Sequence, residues 1–135
     1  MPMEARRPPW IGVPMPEHPS DRAPGPMYGG PFLTVHLDHR DTTRSVLAVD
    51  GALDIATAPL LVSTMSKVTA AGRKHLTVET GGLTFCDVAG ARGLLASQQH
   101  LAAHGLTMDL ANVPRALRRT LALTGLLTAF HLLPD

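Results

Sequence analysis

From Phe32 to the C-terminus the apolar positions change period in a fixed order. In "FLTVHL", Leu33, Val35 and Leu37 alternate with Thr34, His36 and Asp38, the two-residue period of a strand with one buried face. The polar turn "DHRDTTR" leads to a second strand, "SVLAVDG", and a connection this short predicts antiparallel pairing with the first. The period then lengthens. In "TAPLLVSTMSKVTAAG", Leu61, Met65 and Val68 recur at helical spacing; Thr57 is placed to cap the start, Pro59 is tolerated in the first turn, and Gly72 ends the helix. "HLTVET" is again a strand. "VAGARGLLASQQHLAAHG" is a helix with Ala91, Leu94, Leu95, Gln98, Leu101 and Ala102 on its inner side and Gly105 as its stop. "LTMDLAN" is the next strand; "VPRALRRTLALTG" is a third helix with Pro114 in its first turn, Leu117 and Leu121 facing inward and Gly125 past its end; "AFHLLP" is a last short strand. Strand, strand, helix, strand, helix, strand, helix predicts a single small α/β domain, its mixed sheet packed by helices.

Composition sets the limits of that domain. The chain has 135 residues, enough for one core and too few for two of ordinary size. Residues 1–31 hold nine of the 12 prolines and neither period, which predicts a disordered or partly extended tail before a domain spanning 32–135. Within the tail, "PPWIGVP" groups Trp10, Ile11 and Val13, an incidental apolar patch or a short docking motif. Twelve Lys and Arg against 11 Asp and Glu leave a net charge of +1, which gives no reason to expect nucleic acid or an anionic membrane as partner. A lone cysteine, Cys86, suits a reducing compartment, and no apolar run reaches the roughly 18 residues of a membrane span. A cytoplasmic protein is the expectation.

Candidate chemistry gathers at "LTFCDVAG", where "LTVET" and the "GGLTFC" after it meet a helix start. In open α/β sheets this edge is where ligands and partners meet the domain. Asp87 is placed as an N-cap, accepting from the amides of Ala89 or Gly90, and Gly90 permits close backbone approach. Asp54, in "GALDIATA", stands at a second strand-to-helix corner and shares the edge with Asp87 if those strands run parallel. Cys86, in an apolar run, reads as a small buried hydrophobe rather than a redox sensor. His100 and His104 sit at i, i+4, yet "HLAAH" has no zincin glutamate and no evident third ligand, so no metal is expected. Arg115, Arg118 and Arg119 cluster on the third helix as a solvated face or a contact for an acidic surface. "TGGLTF" lacks the spacing and lysine of a phosphate loop, and no nucleophile and base are paired; no cofactor and no catalytic residue are expected.

The order of these segments resembles the STAS domain, the family of bacterial anti-sigma factor antagonists. "VDGALDIATAPLL" is similar to the family's G-x-L-D and first helix, "LTVETGGLTFCDVAG" to the strand entering its D-S-S-G corner, and "HGLTMDLANVPRALRRTLALTGLL" to its last strand, helix and leucine-glycine-leucine. The resemblance covers about Phe32 to Pro134, roughly three quarters of the chain. It implies a binding module that captures an anti-sigma factor of the serine-kinase type and so frees a sigma factor. Asp54, Cys86, Asp87, Val88, Ala89, Gly90 and Arg92 would belong to the partner-binding surface.

In the family a serine follows the corner's aspartate and accepts a phosphate that switches the antagonist off. Here that position is Val88 and the next is Ala89, so neither carries a hydroxyl and the usual switch is absent. Arg92 stands where the family often has a small residue and would alter a partner's footprint; its alternative role is a solvated helix residue. Two other roles compete with constitutive antagonism: a subunit of a transport system that binds a small molecule or lipid, and a scaffold that assembles with itself, as a homodimer for example.

Overall fold

The computed structural model describes residues 32–134; the proposed Pro-rich tail, with Trp10, Ile11, Val13 and His18, lies outside the described residues. β1 (Leu33–His39) and β2 (Arg44–Leu53) form the expected antiparallel hairpin, in register from Leu33 opposite Gly51 to His39 opposite Ser45. Asp41 fixes the turn between them by accepting from the amides of Thr43 and Arg44, each at 2.8 Å, and from the Thr43 hydroxyl at 2.9 Å. These bonds, the Thr43 amide foremost, hold the Asp41 carboxyl well below the usual carboxylate range. The turn is therefore stabilised at neutral pH and loses that support only as pH falls through this depressed value.

Three helices follow, α1 (Ala58–Ala70), α2 (Val88–Ala103) and α3 (Arg115–Leu123), alternating with β3 (His75–Cys86), β4 (Thr107–Ala111) and, after a 3-10 turn at Leu127–Ala129, β5 (His131–Leu132). The sheet order is β1-β2-β3-β4-β5, with every pair beyond the hairpin parallel, so the mixed sheet is as expected. Because each crossover steps to the next strand in the same direction, right-handed connections place all three helices on one face. Burial follows that geometry. Leu47, Val49, Leu76, Val78, Met108 and Leu110 point under the helices and meet Leu61, Met65, Val68, Leu94, Leu101, Leu117 and Leu121.

The elements depart from expectation at three places. First, β3 does not stop at Thr80 but continues through Gly81 and Gly82 to Cys86. Between Ala48 opposite Glu79 and Asp50 opposite Gly82, β3 carries one residue more than β2, and a Cβ at Gly82 would lie 1.6 Å from the Asp50 carboxylate. The glycine pair is a bulge in a strand, not a loop. Second, Pro114 precedes α3 rather than sitting in its first turn; its ψ of 155° is extended, and its carbonyl accepts from Arg118 at 2.9 Å.

Third, the inner face of α2 is Gly90, Ala91, Gly93, Leu94, Ser97 and Leu101, whereas Leu95 and Gln98 are half-buried and Ala102 is exposed. The helix is turned toward α1, where a Cβ on Gly93 would come within 2.8 Å of the Ala58 Cβ. Ser97 is tolerated inside because its hydroxyl donates to the Gly93 carbonyl at 2.8 Å. The expected helix stops hold: Gly72, Gly105 and Gly125 all adopt positive φ just past α1, α2 and α3. In urea unfolding, Leu94→Ala should cost about 2–5 kcal/mol, and Ala102→Glu should stay within about 0.5 kcal/mol of the parent. Equal effects would place the wrong face of α2 inward.

Candidate functional site

β2 and β3 end together, with Leu53 opposite Cys86 in the last rung, so Asp54 and Asp87 emerge side by side on one edge. The parallel pairing that their shared placement required is present. Asp87 takes extended backbone angles and its carboxylate accepts from the Gly90 amide at 2.8 Å, the expected N-cap. Its own amide donates to the Leu53 carbonyl at 3.3 Å. Gly90 lies against that same carbonyl; a Cβ there would fall 2.2 Å from the oxygen, so α2 can start this close to β2 only without a side chain.

The corner before α1 is built differently from the expected Thr57 cap. Asp54 accepts from the amides of Ala56 at 2.9 Å and Thr57 at 3.0 Å, while the Thr57 hydroxyl accepts from the Asp54 amide at 2.9 Å and donates to the Ala52 carbonyl at 2.8 Å. Thr57 thus sits at the cap position without capping α1 through its side chain. Asp54 takes over because its carboxylate reaches the turn amides that precede the helix.

With both carboxylates engaged locally, the outward surface falls to other side chains. Val88 is 47% exposed and Ile55 77% exposed, and with Pro59, Val62, Arg92 and Ala96 they line an open groove of about 660 Å³ between α1 and α2. Ala89 also lines it, but Cys86 and Gly90 are buried behind the corner. Arg92 is exposed and forms no ion pair among the described residues. Sequence reasoning missed Ile55, Pro59 and Val62. Ile55 had a signal: it falls off the Leu61, Met65, Val68 stripe, an apolar residue without a core face.

Burial, with a smaller push from the Asp87 charge, raises the Cys86 thiol to about 12, so it is protonated and weakly nucleophilic at neutral pH. The His100 and His104 rings lie 4.6 Å apart, and His104 Nδ1 meets the His100 carbonyl at 2.9 Å. Elsewhere His75 bridges Thr107 and Asp109, and His39 meets Ser45. Among the described residues no three His, Cys, Asp or Glu side chains are grouped to hold a metal, and no helix is long and apolar enough to cross a membrane.

Two measurements check this geometry. Asp87→Ala should lower stability by about 1 kcal/mol, and Gly90→Ala by more, because one loses a cap and the other drives a methyl into a backbone carbonyl. Alkylation of native Cys86 at pH 8 should run on the order of a thousandfold slower than that of a free cysteine, and unfolding should abolish the difference.

Comparison with known proteins agrees with this architecture. No curated protein matches. Among solved structures, an anti-sigma factor antagonist from Mycobacterium paratuberculosis is 28% identical, with a TM-score of 0.66 over 76% of this chain and 86% of that one. A Moorella thermoacetica RsbS variant is 22% identical (TM-score 0.63; 75% and 86% covered), and the anti-sigma factor antagonist SpoIIAA, solved unphosphorylated, is 18% identical (TM-score 0.59; 76% and 90% covered). These last two speak to the fold. The family model described as "Mlab, STAS domain" matches residues 36–134, from β1 to just beyond β5, and thus takes in both corners and all three helices. The chain belongs to the STAS domain family.

Proposed function

We propose that this protein is an anti-sigma factor antagonist, a binding module that captures an anti-sigma factor of the serine-kinase type in the cytoplasm and so releases a sigma factor. One observation carries the reading: a half-exposed Val88 and a largely exposed Ile55 open an apolar groove directly beside the Asp87-capped start of α2. Exposed apolar side chains of this size, gathered with a single guanidinium, suit a protein surface. Lying open along its length, the groove fits a partner better than a retained small molecule, which needs enclosure. The anti-sigma factor antagonist that is 28% identical supports the role.

SpoIIAA has been solved in phosphorylated and unphosphorylated forms. At the corresponding corner this chain offers Val88 and Ala89, neither with a hydroxyl to accept a phosphoryl group. The nearest hydroxyl on the preceding strand, Thr84, already donates to the Gly51 carbonyl at 3.1 Å. Binding is then constitutive, its extent set by abundance rather than by a phosphate at the corner.

Capture from native cytoplasm, with the partner identified by mass spectrometry and then purified, tests this. The parent should retain a kinase-like anti-sigma factor with or without ATP. Ile55→Lys and Asp87→Lys should each weaken capture at least about tenfold, and Val88→Ser should make it sensitive to ATP. Ile55→Lys is informative on stability grounds, since its side chain supports no core. Equal capture by all four proteins removes the edge from the interface; ATP-dependent phosphorylation and release of the parent overturns constitutive binding.

A further inference from the structure

A second hollow, of about 510 Å³, opens on the other side of the Asp87 corner, between the end of β3 and the start of α3. Phe85, Arg115, Ala116 and Arg119 give it its character, with Thr84 and Thr120 beside them. Phe85 is 48% exposed although it stands next to buried Cys86, so its ring is held at the surface rather than used in the core. The threonine hydroxyls are already committed, Thr84 to Gly51 and Thr120 to the Cys86 carbonyl at 2.9 Å. The hollow therefore has an apolar floor and a charge supplied by arginine alone.

That charge is poorly placed for the isolated domain. Arg115, Arg118 and Arg119 are all exposed within the first five residues of α3, a helix with no acidic residue in its first turn and no side-chain cap. Cations at a helix N-terminus oppose the macrodipole, and like charges at i, i+3 and i, i+4 repel. None of the three arginines is in an ion pair among the described residues, where the arginine pairs are Arg40 with Asp38 and Arg44 with Asp41. A local arrangement that works against its own helix is expected where an external group completes it.

We propose that this face docks an acidic segment of a protein partner, its carboxylates meeting Arg115 and Arg119 while a central apolar side chain lies on Phe85 and Ala116. The apolar floor favours such a segment over a bare anion, and a net charge of +1 disfavours an extended polyanion such as nucleic acid. Because Cys86 joins this hollow to the corner, the face extends the proposed anti-sigma factor footprint, and only the identity of the partner rests on that reading.

The test titrates the full-length, 15N-labelled chain with a short peptide of glutamates around a central leucine-phenylalanine pair. Amide shifts should concentrate at Thr84 to Cys86 and Arg115 to Thr120. Binding should weaken several-fold between about 50 and 200 mM salt, and Arg115→Gln with Arg119→Gln should weaken it at least about tenfold. The double variant should keep the parent's thermal midpoint or exceed it, because it removes charge that opposes the α3 dipole. Silence at these residues overturns the inference, as do equal shifts with a lysine version of the peptide, with inorganic phosphate or with a DNA oligonucleotide. Peptide binding here without capture of any anti-sigma factor would sink the proposed function and leave this surface standing. Undiminished capture of an identified anti-sigma factor by the double variant would do the reverse.

Discussion

The last rung of the β2–β3 ladder organises the functional edge. Three carbonyls at its end each receive a donor from a different helical segment: Ala52 from the Thr57 hydroxyl before α1, Leu53 from the Asp87 amide before α2, and Cys86 from the Thr120 hydroxyl in the second half of α3. A parallel ladder leaves such groups unpaired where it ends, and buried unpaired carbonyls are costly. Their satisfaction by three separate segments ties the starts of α1 and α2 and the second half of α3 to one end of the ladder. Gly90 is the tightest part of the junction, because its backbone occupies space beside Leu53 that any side chain would need.

This junction divides labour between carboxylates and apolar groups. Asp87 reads from sequence as an N-cap and Asp54 stands at a second corner, and both carboxylates accept from nearby backbone amides. Each carboxylate holds its own corner, with Ile55 and Val88 exposed at the mouths of the two corners. The surface a visitor meets is consequently apolar between α1 and α2 and cationic along the start of α3. In the proposed complex a hydroxyl-free corner fits the same logic, since Val88 would add contact area where a serine would add a site for charge.

Local rules made much of this readable in the sequence. The hairpin, the N-cap at Asp87, the close approach at Gly90 and the three glycine stops each depend on a few neighbouring residues, and each was present in the chain as a short pattern. What escaped detection depends on distant partners. The strand pattern ends at Thr80 until β2 supplies the ladder that makes Gly81 and Gly82 a bulge, and the inward turn of α2 follows from the close approach of Gly93 to Ala58 of α1. The groove was invisible for the same reason: Ile55 and Val88 are 33 positions apart in the chain, and the parallel pairing of β2 with β3 brings their corners together.

The two hollows differ in how they bear on affinity and rate. Burying Ile55 and Val88 supplies a non-directional gain proportional to area, which lengthens a complex's lifetime once formed. The α3 arginines, without an ion pair among the described residues, would act at longer range, within a Debye length of about 8 Å at physiological salt, and so affect encounter and orientation first. If both surfaces engage one partner as proposed, their placement on opposite sides of the corner gives it two dissimilar contacts at a set separation, and a wrong partner must mismatch only one to be rejected. The close approach of Gly90 to the Leu53 carbonyl is what sets that separation. In the proposed complex the buried junction thus contributes to recognition even though Leu53 itself is inaccessible to any partner.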